Sequence, residues 1–191
     1  MTKLLTVDLR HGVPAPDASP NLVDLHRLWS IPGFHLNMGK RLESLWGDVR
    51  VQVRDDRESP AGLTDYFMTV PFTIVSKPFA ELLSSFGCEV EMLPLLVEYR
   101  QKRLHNEFFA LNVLTVVESA VDRERSKFKS FDEGPLEEVE HLELKGEMLT
   151  DIPIAYLGEI CKYAVSDELA AAITSSGMRG VLTIRPGDFT S

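Results

Sequence analysis

The spacing of hydrophobic positions along the chain predicts both strands and helices. Over residues 49–53, valines alternate with polar residues, which is the pattern of a strand with one buried face. After Ser76, apolar residues recur every three or four positions until Gly87, so the pattern predicts a helix with Ser76 as its N-cap and Gly87 at its C-terminal end. The segment from Ser166 to Gly177 has the same arrangement, and an apolar segment that predicts a strand follows each helix.

Two more apolar segments predict strands between these landmarks. Residues 66–72 are apolar next to a proline, which indicates a short strand. Residues 88–99 are longer and contain Pro94. Because proline cannot donate a ladder hydrogen bond, Pro94 predicts either an edge strand or a bulge.

Together these segments predict an α+β fold, with a mixed or antiparallel sheet of about five strands flanked by helices. We expect one such domain over residues 49–191. Residues 1–48 are expected to form an irregular N-terminal extension, because glycines and prolines interrupt the short periodic segments at 4–9, 22–29 and 37–45. The leucines and tryptophans of this extension predict that it packs on the core.

The stretch from Phe108 to Phe128 has an unusual order of residues. An apolar run over 108–117 continues into a charged run over 118–129 with neither glycine nor proline between them. A buried strand is expected to end in turn residues, so this pattern predicts a chain that leaves the core and turns polar side chains to a surface. The side chains expected there are Asn112, Glu118, Asp122, Arg123, Glu124, Arg125 and Ser126.

An acidic run follows this stretch. Seven carboxylates fall within sixteen residues, with Lys145 as the one basic residue among them. The apolar residues between them predict a strand with an acidic outer face. The carboxylates are Asp132, Glu133, Glu137, Glu138, Glu140, Glu143 and Glu147.

Size and charge narrow the classes of function. The chain has 191 residues, of which 44% are hydrophobic and 26% are charged, as in an ordinary soluble globular protein. The formal net charge of -9 argues against nucleic acid as a partner, because binding to a phosphate backbone needs clustered lysine and arginine. This charge fits a basic protein partner, and it equally fits colloidal solubility alone.

The cysteines and the apolar segments predict a cytoplasmic protein. Cys88 and Cys161 are too few for a disulfide framework or a four-thiolate zinc site, and both are expected to be structural in a reduced compartment. The first twelve residues lack the apolar region of a secretory signal. No apolar stretch approaches the ~18 residues that a membrane span needs, so no membrane partner is expected.

The sequence contains no familiar catalytic or cofactor motif. The five histidines lack the spacing of a local metal site, and glycine-rich phosphate loops are absent, so we expect neither a metal nor a cofactor. Glu118, Asp122 and Glu124 would be the carboxylates of an acid–base site, but the alternation of acid and base over 122–125 favours surface ion pairs. The basic segment over 99–107 predicts a solvated turn or, alternatively, a contact with an anionic group.

Two segments of the chain resemble a known family. Asn112-Val113-Leu114, followed by Val-Asp-Arg-Glu-x-Ser over 121–126, is similar to the central signature of one family of bacterial polymorphic-toxin immunity proteins. That family is numbered eleven in the immunity series and was formerly a domain of unknown function. The second segment resembles the closing helix of the family and the turn before its last strand. It comprises Val165, Ser166, Leu169, Ile173, the run Gly177-Met178-Arg179-Gly180-Val181, Ile184 and Pro186.

The resemblance spans about residues 63–189 and implies an α+β immunity protein that binds and neutralises a cognate toxin in the cytoplasm without catalysis. The residues expected to contact that toxin are Asp122, Arg123, Glu124, Glu137, Glu138, Glu140 and Glu143. Two alternatives stay open. The first is a small enzyme that uses carboxylates near Asp122. The second is a structural homo-oligomer in which the N-terminal third forms an interlocking arm.

Overall fold

A computed structural model describes residues 2–8, 17–32, 34–54, 63–129 and 136–190. Asp132 and Glu133 of the acidic run lie outside this part of the chain. The helices are α1 (Leu22–Trp29), α2 (Glu43–Trp46), α3 (Lys77–Ser85) and α4 (Asp167–Ser175), with short 3₁₀ helices at Gly146–Leu149 and Pro186–Asp188. The strands are β1 (Lys3–Val7), β2 (Asp17–Pro20), β3 (Arg50–Arg54), β4 (Tyr66–Thr69), β5 (Phe72–Ser76), β6 (Val90–Tyr99), β7 (Lys102–Val113), β8 (Val116–Val117), β9 (Lys127–Lys129), β10 (Glu137–His141), β11 (Ile154–Leu157), β12 (Lys162–Val165) and β13 (Val181–Ile184).

The largest sheet has six strands in the order β2-β3-β6-β7-β5-β4 and almost closes into a barrel. Strands β3 and β6 run parallel, and the other neighbours are antiparallel. The first and last strands come together, and the Thr69 hydroxyl donates a hydrogen bond of 2.5 Å to the carbonyl oxygen of Ala18. A side chain therefore joins the two edges that a backbone ladder would join in a closed barrel.

The interior of this sheet forms the first hydrophobic core. Alternate residues of the strands point inward, and α1 adds Leu25 and Leu28 to the same cluster. Trp46 lies against Phe34 and Phe72, with ring centroids 6.2 and 5.3 Å away, and its indole N–H donates to Pro94 at 2.8 Å. The N-terminal part of the chain therefore supplies side chains that fill the barrel-like sheet.

An ion pair holds α1 against the start of β3. The Asp24 carboxylate accepts hydrogen bonds from the backbone N–H of Arg50 and from its guanidinium, at 3.0 to 3.1 Å. The hydrogen bond from the Arg50 side chain is the largest cause of the lowered pKa of Asp24. Arg27, from the same helix, donates to the carbonyl oxygens of Leu45, Trp46 and Asp48.

A second sheet has five strands in the order β13-β1-β12-β11-β8 and is buried on both faces. Leu5 belongs to the second core, which lies between the two large sheets and includes α3 and α4. Leu4, the preceding residue, belongs to the third core on the opposite face. Strand β1 pairs with β12 and with β13, so the first residues of the chain lie inside this sheet. The described residues among 1–48 therefore contribute strands to both large sheets, where the sequence pattern predicts an irregular extension.

The local patterns around α3 and α4 are confirmed. The hydroxyl oxygens of Ser76 and Ser166 accept the N–H of Phe79 at 3.4 Å and of Leu169 at 3.2 Å. The φ angle is 64° at Gly87 and 71° at Gly177, which is the left-handed conformation expected after each helix. The side chains of Leu169 and Ile173 are buried in the second core, as the helical spacing predicts.

The prediction of one sheet of about five strands is wrong, because the strands are more numerous and are divided among several sheets. The described residues form thirteen strands in three sheets, of six, five and two strands. Residues 66–76 form a hairpin of β4 and β5 around a cis peptide bond between Val70 and Pro71, where the pattern predicts one short strand over 66–72. Several other strands have only two to five residues, which is too short for a clear alternation of hydrophobic positions.

The expectation that the stretch from Phe108 to Phe128 turns polar side chains to a surface is wrong for Asn112, which is buried. It is correct for Glu118, Arg123, Glu124 and Arg125, which are exposed. Residues 102–113 form β7, the long strand in the middle of the six-stranded sheet. Ala110 belongs to the first core and Leu111 to the second, because both faces of this strand are covered. A strand buried on both faces has a continuous apolar run rather than an alternating one. Pro94 lies beside a register shift between Leu95 and Leu96 of β6, which confirms the bulge and excludes the edge strand.

The described residues contain no helix with the length and apolarity that a membrane crossing needs.

Candidate partner-binding surface

The segment with the central signature, residues 121–126, forms a tight turn that we call the signature turn. One oxygen of the Asp122 carboxylate accepts the backbone N–H groups of Glu124 at 3.2 Å and Arg125 at 3.3 Å. The N–H of Ser126 donates to the Asp122 carbonyl oxygen at 2.9 Å. These are the hydrogen bonds by which an aspartate side chain typically closes a turn. The carboxylate of Asp122 is therefore part of the turn itself.

A distant carboxylate fixes the position of Arg123. The Arg123 guanidinium lies 3.1 Å from one carboxylate oxygen of Glu159, and the other oxygen accepts the Val121 N–H at 2.9 Å. The guanidinium also lies over the Phe128 ring, 5.6 Å from its centroid. The sequence predicted ion pairs between neighbouring residues over 122–125. Arg123 instead pairs with Glu159, which lies 36 residues further along the chain.

Backbone contacts join the signature turn to the end of the acidic run. The Ser126 hydroxyl donates to the Glu143 carbonyl oxygen at 3.2 Å and accepts the Glu143 N–H at 2.9 Å. The same Glu143 carbonyl accepts the Asp122 N–H at 2.9 Å. Two of the residues that the sequence predicted for partner binding, Asp122 and Glu143, therefore lie next to each other.

The acidic run itself forms half of a two-stranded ribbon of β9 and β10. Lys127 makes an ion pair with Glu140, and Lys129 makes one with Glu138. The hydrogen bond from Lys127 is the largest cause of the lowered pKa of Glu140. The expected acidic face is therefore a ribbon of mixed charge. The sequence pattern does not predict these ion pairs, because Lys127 and Lys129 belong to the preceding charged run and reach the glutamates only across the strand pair.

The remaining predicted residues have distinct surroundings on this surface. Glu137 begins β10, opposite Lys129 in the ladder. Glu143 is partly exposed, and its carboxylate lies 3.4 Å from the His141 imidazole. Glu124 is exposed at the tip of the signature turn. Underneath, Val121, Val139 and Leu142 are buried in the third core, so the turn and the ribbon are anchored to the five-stranded sheet.

The second segment of the family resemblance connects the two large sheets. The N–H of Arg179 donates to the Asp65 carboxylate at 2.9 Å, and its guanidinium donates to the Leu63 carbonyl at 2.7 Å. Gly180 has a φ of 82° and lies so close to Thr64 and the Tyr66 carbonyl that a side chain would clash there. Gly180 is therefore required by backbone packing, and no ligand is needed to explain it.

Among the candidate functional residues, Asn112 differs most from its predicted position. It was expected at a surface and is completely buried. Its carboxamide oxygen accepts the Asn37 N–H at 2.7 Å, and its NH₂ group donates to the Glu91 carboxylate at 2.9 Å and to the Lys40 carbonyl at 2.8 Å. One feature of the sequence points to this burial: Asn112 is a single amide within an apolar run. A polar residue in such a run is expected to be buried together with hydrogen-bond partners.

The partners of Asn112 extend this buried cluster to both large sheets. Asn37 accepts the Val113 N–H at 2.8 Å and donates to the Tyr163 hydroxyl of β12 at 3.1 Å. The Glu91 carboxylate accepts the N–H groups of Leu42 at 2.7 Å and Glu43 at 2.9 Å. Among the described residues, no buried side-chain nitrogen or oxygen atom lacks a hydrogen-bond partner. The cluster accordingly holds the segment over 37–43 in place.

The cysteines differ in their environments. Burial raises the pKa of the Cys88 thiol to about 11, so the thiol is protonated at neutral pH and is a poor nucleophile. Cys161 is exposed and lies 3.7 Å from the carbonyl oxygen of Gly158. Within the described part of the chain, no group of three or more histidine, cysteine, aspartate or glutamate side chains could hold a metal ion.

In the structure, the residues of the segments 112–126 and 165–186 thus close a turn, bury an amide and join two sheets. No family model matches the chain, and no curated protein matches it significantly.

Proposed function

We propose that this chain is a non-catalytic immunity protein that binds a cognate bacterial toxin in the cytoplasm and neutralises it. The observation that carries this proposal is the fixed conformation of the signature turn. Hydrogen bonds to Asp122, Glu143 and Glu159 hold the backbone of the turn, and Glu159 also holds the Arg123 side chain. The side chains of Glu124 and Arg125 are exposed. The segment with the family signature is thus a rigid, charged and accessible surface.

Rigidity of this kind favours protein binding. Association costs free energy when loops and side chains must be ordered, and a surface that is already ordered avoids much of that cost. The ion pairs between β9 and β10 add a second ordered and charged element beside the turn. We infer that the turn and the ribbon together form the toxin-binding surface, and that charges at its rim set the association rate and the choice of partner.

The position of Asp122 favours this proposal over the enzyme alternative. A general base needs a carboxylate that can reach a substrate proton. One oxygen of the Asp122 carboxylate already accepts two backbone N–H groups, and the turn depends on them. Neutralisation would instead be steric, by covering a site on the toxin, and would need no chemistry from this chain.

Co-expression with the protein that the adjacent gene encodes tests the toxin-binding role. We expect that protein to arrest growth when it is expressed alone, and we expect this chain to restore growth and to form a stable complex with it. Absence of both rescue and complex would refute the proposal. A catalytic turnover that Asp122→Ala abolishes without changing the melting curve would establish the enzyme alternative.

A charge swap tests the proposed surface within that complex. Glu124→Lys together with Arg125→Glu keeps the net charge but reverses the exposed charges of the signature turn. We expect the association rate at low salt to fall by about tenfold and the effect to shrink at high salt. The matched control is Lys77→Glu with Glu81→Lys, which swaps an exposed pair on α3. Equal rates for both variants would place the binding surface elsewhere.

A further inference from the structure

An open pocket of about 320 Å³ lies where the tip of the β6–β7 hairpin meets the end of β3. Val51 and Val53 point into the first core, so the neighbouring Gln52 and Arg54 are on the outer face of the sheet. The hairpin closes the other side of this pocket, which we call the basic pocket. Its lining consists of Gln52, Val53, Glu98, Arg100, Gln101, Lys102 and Arg103.

Positive charge is concentrated at the basic pocket although the chain as a whole is acidic, with a net charge of -9. Three of the lining residues, Arg100, Lys102 and Arg103, are cationic. The exposed Arg54 follows Val53 in β3 and lies opposite Asp17 in the ladder, so it is not counted with them. Among the described residues of the lining, Glu98 is the one carboxylate, and it lies 3.2 Å from the Arg103 guanidinium. The Arg103 side chain is nevertheless 70% exposed, so this ion pair does not bury it.

The hairpin turn places its side chains in a conformation that costs free energy. Arg100 has a φ of 48° and Gln101 a φ of 62°. A two-residue turn with positive φ at both positions is typically formed by asparagine and glycine, which tolerate this conformation. Arginine and glutamine are strained there, and such strain is commonly retained where the side chains have a function. Both side chains line the basic pocket.

We propose that the basic pocket binds the carboxylates of an acidic segment in a protein partner. Guanidinium groups bind carboxylates through paired hydrogen bonds, and the ammonium of Lys102 and the carboxamides of Gln52 and Gln101 supply further donors. The volume suits one or two acidic side chains. This surface is separate from the signature turn, and the proposal does not require that the partner be a toxin.

Protein carboxylates fit the basic pocket better than nucleic acid does. A nucleic-acid backbone carries a phosphate at every nucleotide and is bound by a long basic tract. The pocket offers three cations within one hairpin turn. The acidic remainder of the chain would repel a long polyanion, whereas a short acidic segment can contact the pocket alone.

Fluorescence anisotropy with fluorescein-labelled hexaglutamate at low ionic strength tests the proposal. We expect saturable binding that Arg100→Gln with Lys102→Gln weakens by about fivefold to tenfold. The matched control, Arg41→Gln with Lys77→Gln, removes one exposed arginine and one exposed lysine elsewhere and should leave binding unchanged. Failure of the wild-type protein to bind hexaglutamate, or equal weakening by both variants, would overturn the proposal.

A second variant separates binding from folding. Arg100→Asn with Gln101→Gly installs the usual turn residues, so we expect a higher melting temperature together with weaker hexaglutamate binding. Unchanged binding in this stabilised variant would exclude the pocket as the site. Labelled hexathymidylate serves as the competing ligand. Tighter binding of this oligonucleotide than of hexaglutamate would overturn the assignment to a protein partner.

Discussion

At the scale of single residues, the polar side chains that matter most are those that connect distant segments. Asn112 is buried in β7 and bonds to the backbone of Asn37 and Lys40 and to the carboxylate of Glu91. Without it the Asn37 N–H loses its acceptor and the Lys40 carbonyl loses a donor, while the Glu91 carboxylate keeps the N–H groups of Leu42 and Glu43. A buried group left without a partner costs more free energy than the hydrogen bond itself contributes. We therefore expect the Asn112 side chain to stabilise the fold by more than a single hydrogen bond would.

Asn112→Ala tests this role of the buried amide. We expect the free energy of unfolding to fall by about 2–4 kcal/mol, because the buried Asn37 N–H loses its acceptor and the Lys40 and Glu91 oxygens each lose a donor, and a group left unsatisfied costs about 1–3 kcal/mol. Denaturant unfolding measures the change. Glu107→Ala, at an exposed position of the same strand, is the control and should change stability by less than about 0.5 kcal/mol. A similarly small change for Asn112→Ala would contradict the structural role.

At the scale of elements, two helices show the same local design. Ser76 and Ser166 cap α3 and α4, and Gly87 and Gly177 follow their C-terminal ends with positive φ. Each of these features depends on residues within one helix, so the sequence alone predicts it. The sequence could not predict that α3 and α4 share one core between two sheets, since that contact depends on how distant segments pack.

Gly177→Val tests whether the conformation after α4 requires glycine. A side chain at Gly177 would meet no atom within 4 Å, so the expected loss of about 1–3 kcal/mol would come from the backbone alone. Gly158 is the matched control, because it has equally open surroundings and no positive φ. Thermal melting of Gly177→Val and Gly158→Val compares the two. An equal loss in both variants would show that backbone conformation is not the cause.

At the scale of the whole molecule, the second core couples the two large sheets. Leu5 of β1 and Leu111 of β7 belong to the same cluster, and the amide cluster around Asn112 reaches Tyr163 of β12. Strand β1 pairs with β12 and β13, so the beginning and the end of the described chain support each other. We therefore expect the sheets to unfold together.

Leu5→Ala in a Trp29→Phe background tests this coupling. Trp46 then reports on the first core by fluorescence, while circular dichroism reports on all the sheets. Loss of the buried leucine side chain should cost about 2–5 kcal/mol, and we expect both signals to shift by the same amount. A shift in circular dichroism with no change in the Trp46 transition would mean that the two sheets unfold independently.

The sequence by itself determined the parts of this protein that depend on near neighbours. It predicted α3, α4 and the alternating strand β3, and it limited Pro94 to an edge strand or a bulge, because caps, periodicity and proline geometry act over a few residues. It also identified the segment over 121–126, although it did not predict what holds the turn together.

Only the tertiary structure decided which segments meet. It placed Asn112 inside a hydrogen-bonded cluster, paired Lys127 with Glu140, brought Glu159 to Arg123 and inserted β1 between two later strands. The hydrophobic pattern of a segment states which faces are buried but not which partner covers them. Partners far apart in sequence are selected by packing and hydrogen bonding over the whole chain, and for that reason these contacts could not be derived from local pattern.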